Sequence, residues 1–264
     1  MLIRIYMLFS ELIFLFVAGF LGGLINSIAG GGSFITFPAL LWVGIPAISA
    51  NATNTMASCA GYLSGTYAFR QELSEHKQQL PLLVLISLVG GISGAWLLLQ
   101  TTEQLFREVI PWLLLFATLL FIFGADLNLK IRQLTSNYRH VSLLGSLSLI
   151  TGLFMVGVYG GFFNAALGII LLSYLVLAGH SDIHLMNGLK LMISSVISII
   201  AVGLFIYEGI IAWTQGFIVL GGTLVGGYVA AHYSRQLPQH YVRYFVILVS
   251  CSITLYFFID TYYF

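Results

Sequence analysis

The chain has 264 residues, 59% of them hydrophobic and 7% charged, with Lys+Arg 10 against Asp+Glu 9 and a net charge of +1. A soluble domain carries about 25% charged residues, so this composition excludes a water-soluble enzyme and a disordered chain, and without a basic stripe it excludes a nucleic-acid binder. An all-α polytopic membrane protein remains.

The opening stretch carries Arg4 and Glu11, lacks a small-x-small cleavage site and stays apolar to Ala29, which predicts a retained first span rather than a signal peptide. Further apolar segments fall at 33–47, 51–69, 80–100 and 109–125, the first span covering 8–28. A polar stretch, 126–140, interrupts them, and segments resume at 141–158, 162–179, 186–206, 212–232 and 241–260. We therefore expect about ten transmembrane or half-spanning helices: a first five-helix repeat over 1–125, a basic cytoplasmic linker over 126–140, and a second five-helix repeat over 141–264.

Short loops rich in Lys and Arg stay in the cytoplasm. If every segment crosses, Arg70, Lys77, Lys130, Arg132, Arg139, Arg235 and Arg243 share one side, Arg4 and Arg107 lie opposite, and both termini face outward. Five spans per half make the two halves inverted repeats. A parallel four-plus-four arrangement, with the second and seventh segments re-entrant, would put Arg235 outside; the charge pattern favours five plus five.

Two polar patches recur in both halves. Gly30, Gly31, Gly32 and Ser33 line up with Tyr159, Gly160, Gly161 and Phe162, and Asn51 to Asn54 line up with Asn187 to Lys190. Glycines can break a helix near mid-membrane and expose N–H groups to an anion, with Ser33 as an expected N-cap; they can also simply let helices pack closely. Asn51, Thr53, Asn54 and Thr55 read either as caps or as uncharged ligand donors. Lys190 lies inside a span, where a lysine costs about 2.5 to 3.5 kcal/mol; it either snorkels toward His180, Asp182 and His184 or faces a polar cavity shared with Asn187 and Ser194. Glu11 is an interfacial carboxylate or a proton-coupling group. His180 and His184, at i and i+4 around Asp182, suit a polar turn better than a metal site, and Cys59 and Cys251 form no disulfide framework.

At these residues the sequence resembles a known family. The stretch 22–70, GGLINSIAGGGSFITFPALLWVGIPAISANATNTMASCAGYLSGTYAFR, is similar to the first block of the sulfite exporter TauE/SafE family of membrane permeases, and 152–205 resembles its second repeat less closely, with Tyr159-Gly160-Gly161 in place of a full triple glycine and Leu167 where Pro38 would align. The resemblance implies transport of small sulfur-containing anions, such as sulfite or organosulfonates, across the bacterial inner membrane. The expected protein is a secondary transporter working by alternating access, with substrate-binding residues Gly30, Gly31, Gly32, Ser33, Asn51, Asn54, Gly160, Gly161, Asn187 and Lys190. No cofactor and no catalytic or metal site is expected; the partners are the anion and the lipid bilayer, with the coupling ion (proton or sodium) and homo-oligomerisation open. An anion channel or facilitator is the alternative, ahead of an intramembrane metalloenzyme.

Overall fold

A computed structural model describes residues 2–28, 31–135, 143–233 and 239–263, with side chains over 10–26, 31–124, 147–230 and 244–263. Among the described residues the regular structure is helical: α1 (Leu2–Ile28), α2 (Ser33–Trp42), α3 (Ala47–Ala68), α4 (Arg70–Glu75), α5 (Leu80–Gln100), α6 (Glu103–Thr135), α7 (Leu143–Phe162), α8 (Leu167–Leu177), α9 (Ile183–Tyr207), α10 (Trp213–Tyr233) and α11 (Gln239–Tyr263). All but α4 fall on the expected segments. The described parts of α5, α6, α9 and α11 are long and apolar enough to cross a membrane.

Several boundaries differ from expectation for local reasons. The second segment ends at Trp42, because Gly44 takes a φ of +84° and Pro46 then starts α3. α3 therefore begins four residues early, and Asn51 and Asn54 lie inside it instead of capping it. The polar stretch does not stop α6, which continues to Thr135; at 33 residues it is about 50 Å long, against a bilayer core of about 30 Å, so the helix carries Lys130 and Arg132 past its apolar part. Residues 136–140 of that linker lie outside the described residues.

Glycine seams decide which helices touch. α1 and α10 run parallel, with Gly19 against Val219 and Gly23 against Thr223, while Gly222 and Gly226 of α10 meet the backbone of Phe16 and Phe20. α5 and α7 repeat the arrangement, Gly90 facing Gly157 and Gly94 facing Val158. Each of these four helices carries glycines four apart, which puts them on one face and lets the backbones approach to carbonyl contact. α3 and α9 cross antiparallel: Thr66 bonds Ser195 at 3.0 Å while Phe69 lies against Gly188. α6 and α11 are also antiparallel, with Thr118 bonding Thr254 at 3.1 Å and Trp112 donating to Tyr262 at 2.9 Å.

The short helices fold back on their predecessors. Thr36 of α2 packs on Gly22 of α1, and Tyr174 of α8 on Gly152 of α7. The starts of α3, α6 and α10 and the end of α11 gather at one end of the molecule, tied by Glu103, Thr53 and Tyr262. The end of α3, α4 and the α8–α9 turn gather at the other.

Candidate functional site

The polar run in α3 is a hub. Asn51, Thr53, Asn54 and Thr55 are at most 2% exposed, and they reach different neighbours. Asn51 donates from Nδ2 to the Phe162 carbonyl at the end of α7, 2.8 Å away. The Thr53 hydroxyl accepts from the Ala212 N–H at the start of α10, 3.0 Å away. Asn54 donates from Nδ2 to Ser33 Oγ at 3.2 Å, and its Oδ1 accepts from the Thr36 hydroxyl. Thr55 donates back to the Asn51 carbonyl at 2.9 Å. In an apolar surround each unmade bond would cost about 1 to 3 kcal/mol, so this network locks α3 to α2, α7 and α10.

Ser33 is not an N-cap as expected. Gly32 occupies the capping position of α2, and Ser33, one residue further in, turns its hydroxyl to Asn54. A Cβ on Gly32 would run into the Gly22 carbonyl of α1, so this glycine is demanded by close packing at the break. Gly31 lies beside Phe34, Phe121 and Val246. Gly30 lies outside the described residues.

The second break falls four residues later than expected. Gly160 and Gly161 are helical, inside the last turn of α7; Gly161 packs on the Gly91 carbonyl of α5 and Gly160 on Leu167 and Ile197. The chain leaves the helix at 163–166, where Ala166 takes a φ of +58° and α8 starts. Counting from the starts of α2 and α8, Pro38 corresponds to Leu172 rather than Leu167.

Asn187 and Lys190 sit in the first two turns of α9, half-buried, with Nζ donating to Asn187 Oδ1 at 3.0 Å. The lysine stem runs over Gly168 in the first turn of α8: a Cβ there would stand 3.5 Å from Lys190 Cδ. Asn54 meets the first turn of α2 and Lys190 the first turn of α8, at corresponding places in the two halves. Ser194 is buried one turn deeper on the same face as Lys190.

Three residues of this region were not anticipated. Asn164, 1% exposed in the second break, accepts through Oδ1 from the Tyr62 hydroxyl of α3 at 3.2 Å. Glu103 of α6 accepts from the Ala47 and Ile48 N–H groups, capping α3 from another helix. The signal for Asn164 was one amide inside an otherwise apolar segment, while Tyr62 and Glu103 gave none, since their partners are 102 and 56 residues away.

At the end of the molecule where α3 and α6 begin, an open cleft of about 620 Å³ lies between the α2–α3 turn, the start of α6 and the end of α11; Ala47, Glu103, Arg107 and Asp260 line it. Asn51 is one turn below Ala47. Glu11 is exposed and lines a neighbouring cleft with Trp42 and Gly44. Asp182 accepts from the His184 and Leu185 N–H groups, so its carboxylate caps α9.

The family's profile, described as Sulfite exporter TauE/SafE, matches residues 15–257. The chain belongs to the sulfite exporter TauE/SafE family. It is 29% identical over 249 residues to a probable membrane transporter protein, ORF9, of Sinorhizobium sp, covering 94% of this chain and 92% of that one. It is 32% identical over 239 residues to the probable membrane transporter protein YfcA of Escherichia coli strain K12, covering 89% and 85%, and 28% identical over 241 residues to a probable membrane transporter protein of Haemophilus influenzae, covering 91% of each. No solved structure matches the chain. This TauE/SafE protein is thus a multi-pass membrane transporter.

Proposed function

We propose that this TauE/SafE protein is a secondary transporter of small sulfur-containing oxyanions, sulfite or organosulfonates, working by alternating access around its two helix breaks in the inner membrane. One observation carries the reading: two half-length helices, α2 with 10 residues and α8 with 11, start against Asn54 and Lys190 at corresponding positions of α3 and α9. At about 15 Å each they reach half of a 30 Å core, so their first turns, with the positive end of the helix dipole, fall near the midplane. Asn54, Asn187, the glycines Gly30, Gly31 and Gly32, and Ser33 would orient the anion's oxygens, with Asn51 lining the site through the Oδ1 that its bond to Phe162 leaves over and Gly160 and Gly161 holding the second break in place; Lys190 would supply the positive charge.

An inverted repeat is supported by the packing. Exchanging α1, α2, α3, α5 and α6 with α7, α8, α9, α10 and α11 turns the α1–α10 pair into α7–α5, α3–α10 into α9–α5 and α2–α11 into α8–α6, all of which touch. The self-paired contacts, α3–α9 and α6–α11, are antiparallel, as a two-fold axis across the helices would make them. The charges then orient the protein with Arg70 and Lys77 inside and with Glu103, Glu108, Glu208, Asp260 and both termini outside.

The test is flux of labelled sulfite into proteoliposomes. Wild type should saturate and show counterflow, Lys190→Ala and Asn54→Ala should lose at least tenfold in rate, and Lys190→Arg should retain part of it. Unchanged flux in both alanine variants removes the site assignment, and flux without saturation or counterflow replaces the transporter by a channel.

A further inference from the structure

The second break holds two buried polar atoms that the hydrogen-bond network leaves over. Asn51 spends its Nδ2 on the Phe162 carbonyl, and its Oδ1 has no partner among the described residues. Asn164 has its Oδ1 tied by the Tyr62 hydroxyl, and its Nδ2 has no partner among the described residues. Both residues are 1% exposed. They belong to one locus, since Asn51 is bonded to the last carbonyl of α7 and Asn164 stands two residues beyond it.

An unpaired buried amide donor or acceptor is costly, and the cost rises in a low dielectric. The two atoms have opposite needs. An anion offering only acceptor oxygens would satisfy Asn164 Nδ2 and leave Asn51 Oδ1 unpaired, and a bare cation would do the reverse. A ligand satisfies both only if it brings an oxygen acceptor and a hydrogen-bond donor together. Resting on the anion reading above, we propose that the α7–α8 break is a subsite selecting oxyanions that carry a donor of their own, such as a protonated oxyanion or a hydroxylated sulfonate, with Asn164 Nδ2 binding the anionic oxygen and Asn51 Oδ1 accepting from the donor. Tyr62 is a positioning residue: its hydroxyl turns the Asn164 amide so that Nδ2 is the free end.

Two probes differing by one hydroxyl test this on the purified full-length protein: ethanesulfonate and 2-hydroxyethanesulfonate, titrated by calorimetry. Wild type should bind the hydroxylated probe at least about tenfold tighter, as expected where a buried acceptor is otherwise left unpaired. Asn51→Ala should bring the two affinities together, and Asn164→Ala should weaken both. Equal affinities in wild type, or unchanged affinities in Asn164→Ala, overturn the subsite; the wild-type comparison needs no variant to fold. Binding of neither probe, nor of sulfite, removes the anion reading itself and this inference with it.

Discussion

At the scale of single residues, the polar side chains divide into those that hold helices together and those with capacity left for a ligand. Glu103 is of the first kind: α3 starts after Pro46 with no side-chain cap of its own, and the α6 carboxylate takes its first N–H groups. Glu103→Ala should lower stability by about 1 kcal/mol, the usual worth of a lost cap, read as a fall of a few degrees in melting temperature in detergent. Glu103→Gln, keeping one acceptor oxygen, should fall less. His180 belongs to the α8–α9 turn, where burial and then the nearby His76 hold its imidazole below the ordinary histidine range. Its folded pKa is depressed, so the unfolded chain takes up the proton first; the stability is present above the unfolded value and is lost as pH falls through the folded one. His180→Gln should therefore flatten the decline in melting temperature on acidification below neutral pH, and an identical decline in both proteins would count against this account. Lys190 stood out in the sequence because a charge inside a span is costly. Asn164 did not, because a single amide in an apolar run shows its importance only once Tyr62 and the α7 terminus are beside it.

At the scale of helices, glycine spacing carries more of the fold than hydrophobic periodicity. In lipid, helices gain little from hydrophobic burial against one another, so close backbone contact along small residues selects the partners. Gly23 and Gly226 seat α1 on α10, and Gly94 and Gly161 seat α5 on α7. Gly94→Leu should cost several kcal/mol and abolish expression of folded protein, since its Cβ would strike the Val158 carbonyl; Gly203→Ala, in α9 with open space around the new Cβ, should be neutral or slightly stabilising. Size-exclusion profiles and melting curves of the two variants make the comparison. The sequence motif Gly160-Gly161 looked like a helix break because it paralleled the triple glycine of the first half, yet it works as a seam, and the break moved to 163–166, where no glycine marks it.

For the molecule as a whole, the packing predicts which loops face the same solvent. On a Cys251→Ser background, with the buried Cys59 left in place, Ser74→Cys and Glu208→Cys are both exposed positions at opposite ends. An impermeant maleimide applied to intact cells should label the Glu208→Cys protein and spare the Ser74→Cys protein; the opposite pattern would invert the molecule, and labelling of both or neither would break the arrangement of ends. The helical, apolar character of the chain and its family were legible in composition and motif. Boundaries were less so, because α6 runs on through a polar stretch that carries no helix breaker, and α3 starts at a proline turn inside what reads as one apolar region.

The amino-acid order by itself determined that this is a helical membrane protein, roughly where its apolar segments lie, and that Asn51, Asn54 and Lys190 are unusual; those properties depend on the free energy of placing each residue in lipid, which is local. Tertiary structure alone decided that Glu103 caps α3, that Thr53 caps α10, that Gly161 is a packing residue, and that Asn164 faces Tyr62 with an amide to spare. Those facts depend on which backbones come within hydrogen-bonding reach across more than fifty residues of chain, and no periodicity or spacing in one dimension encodes that.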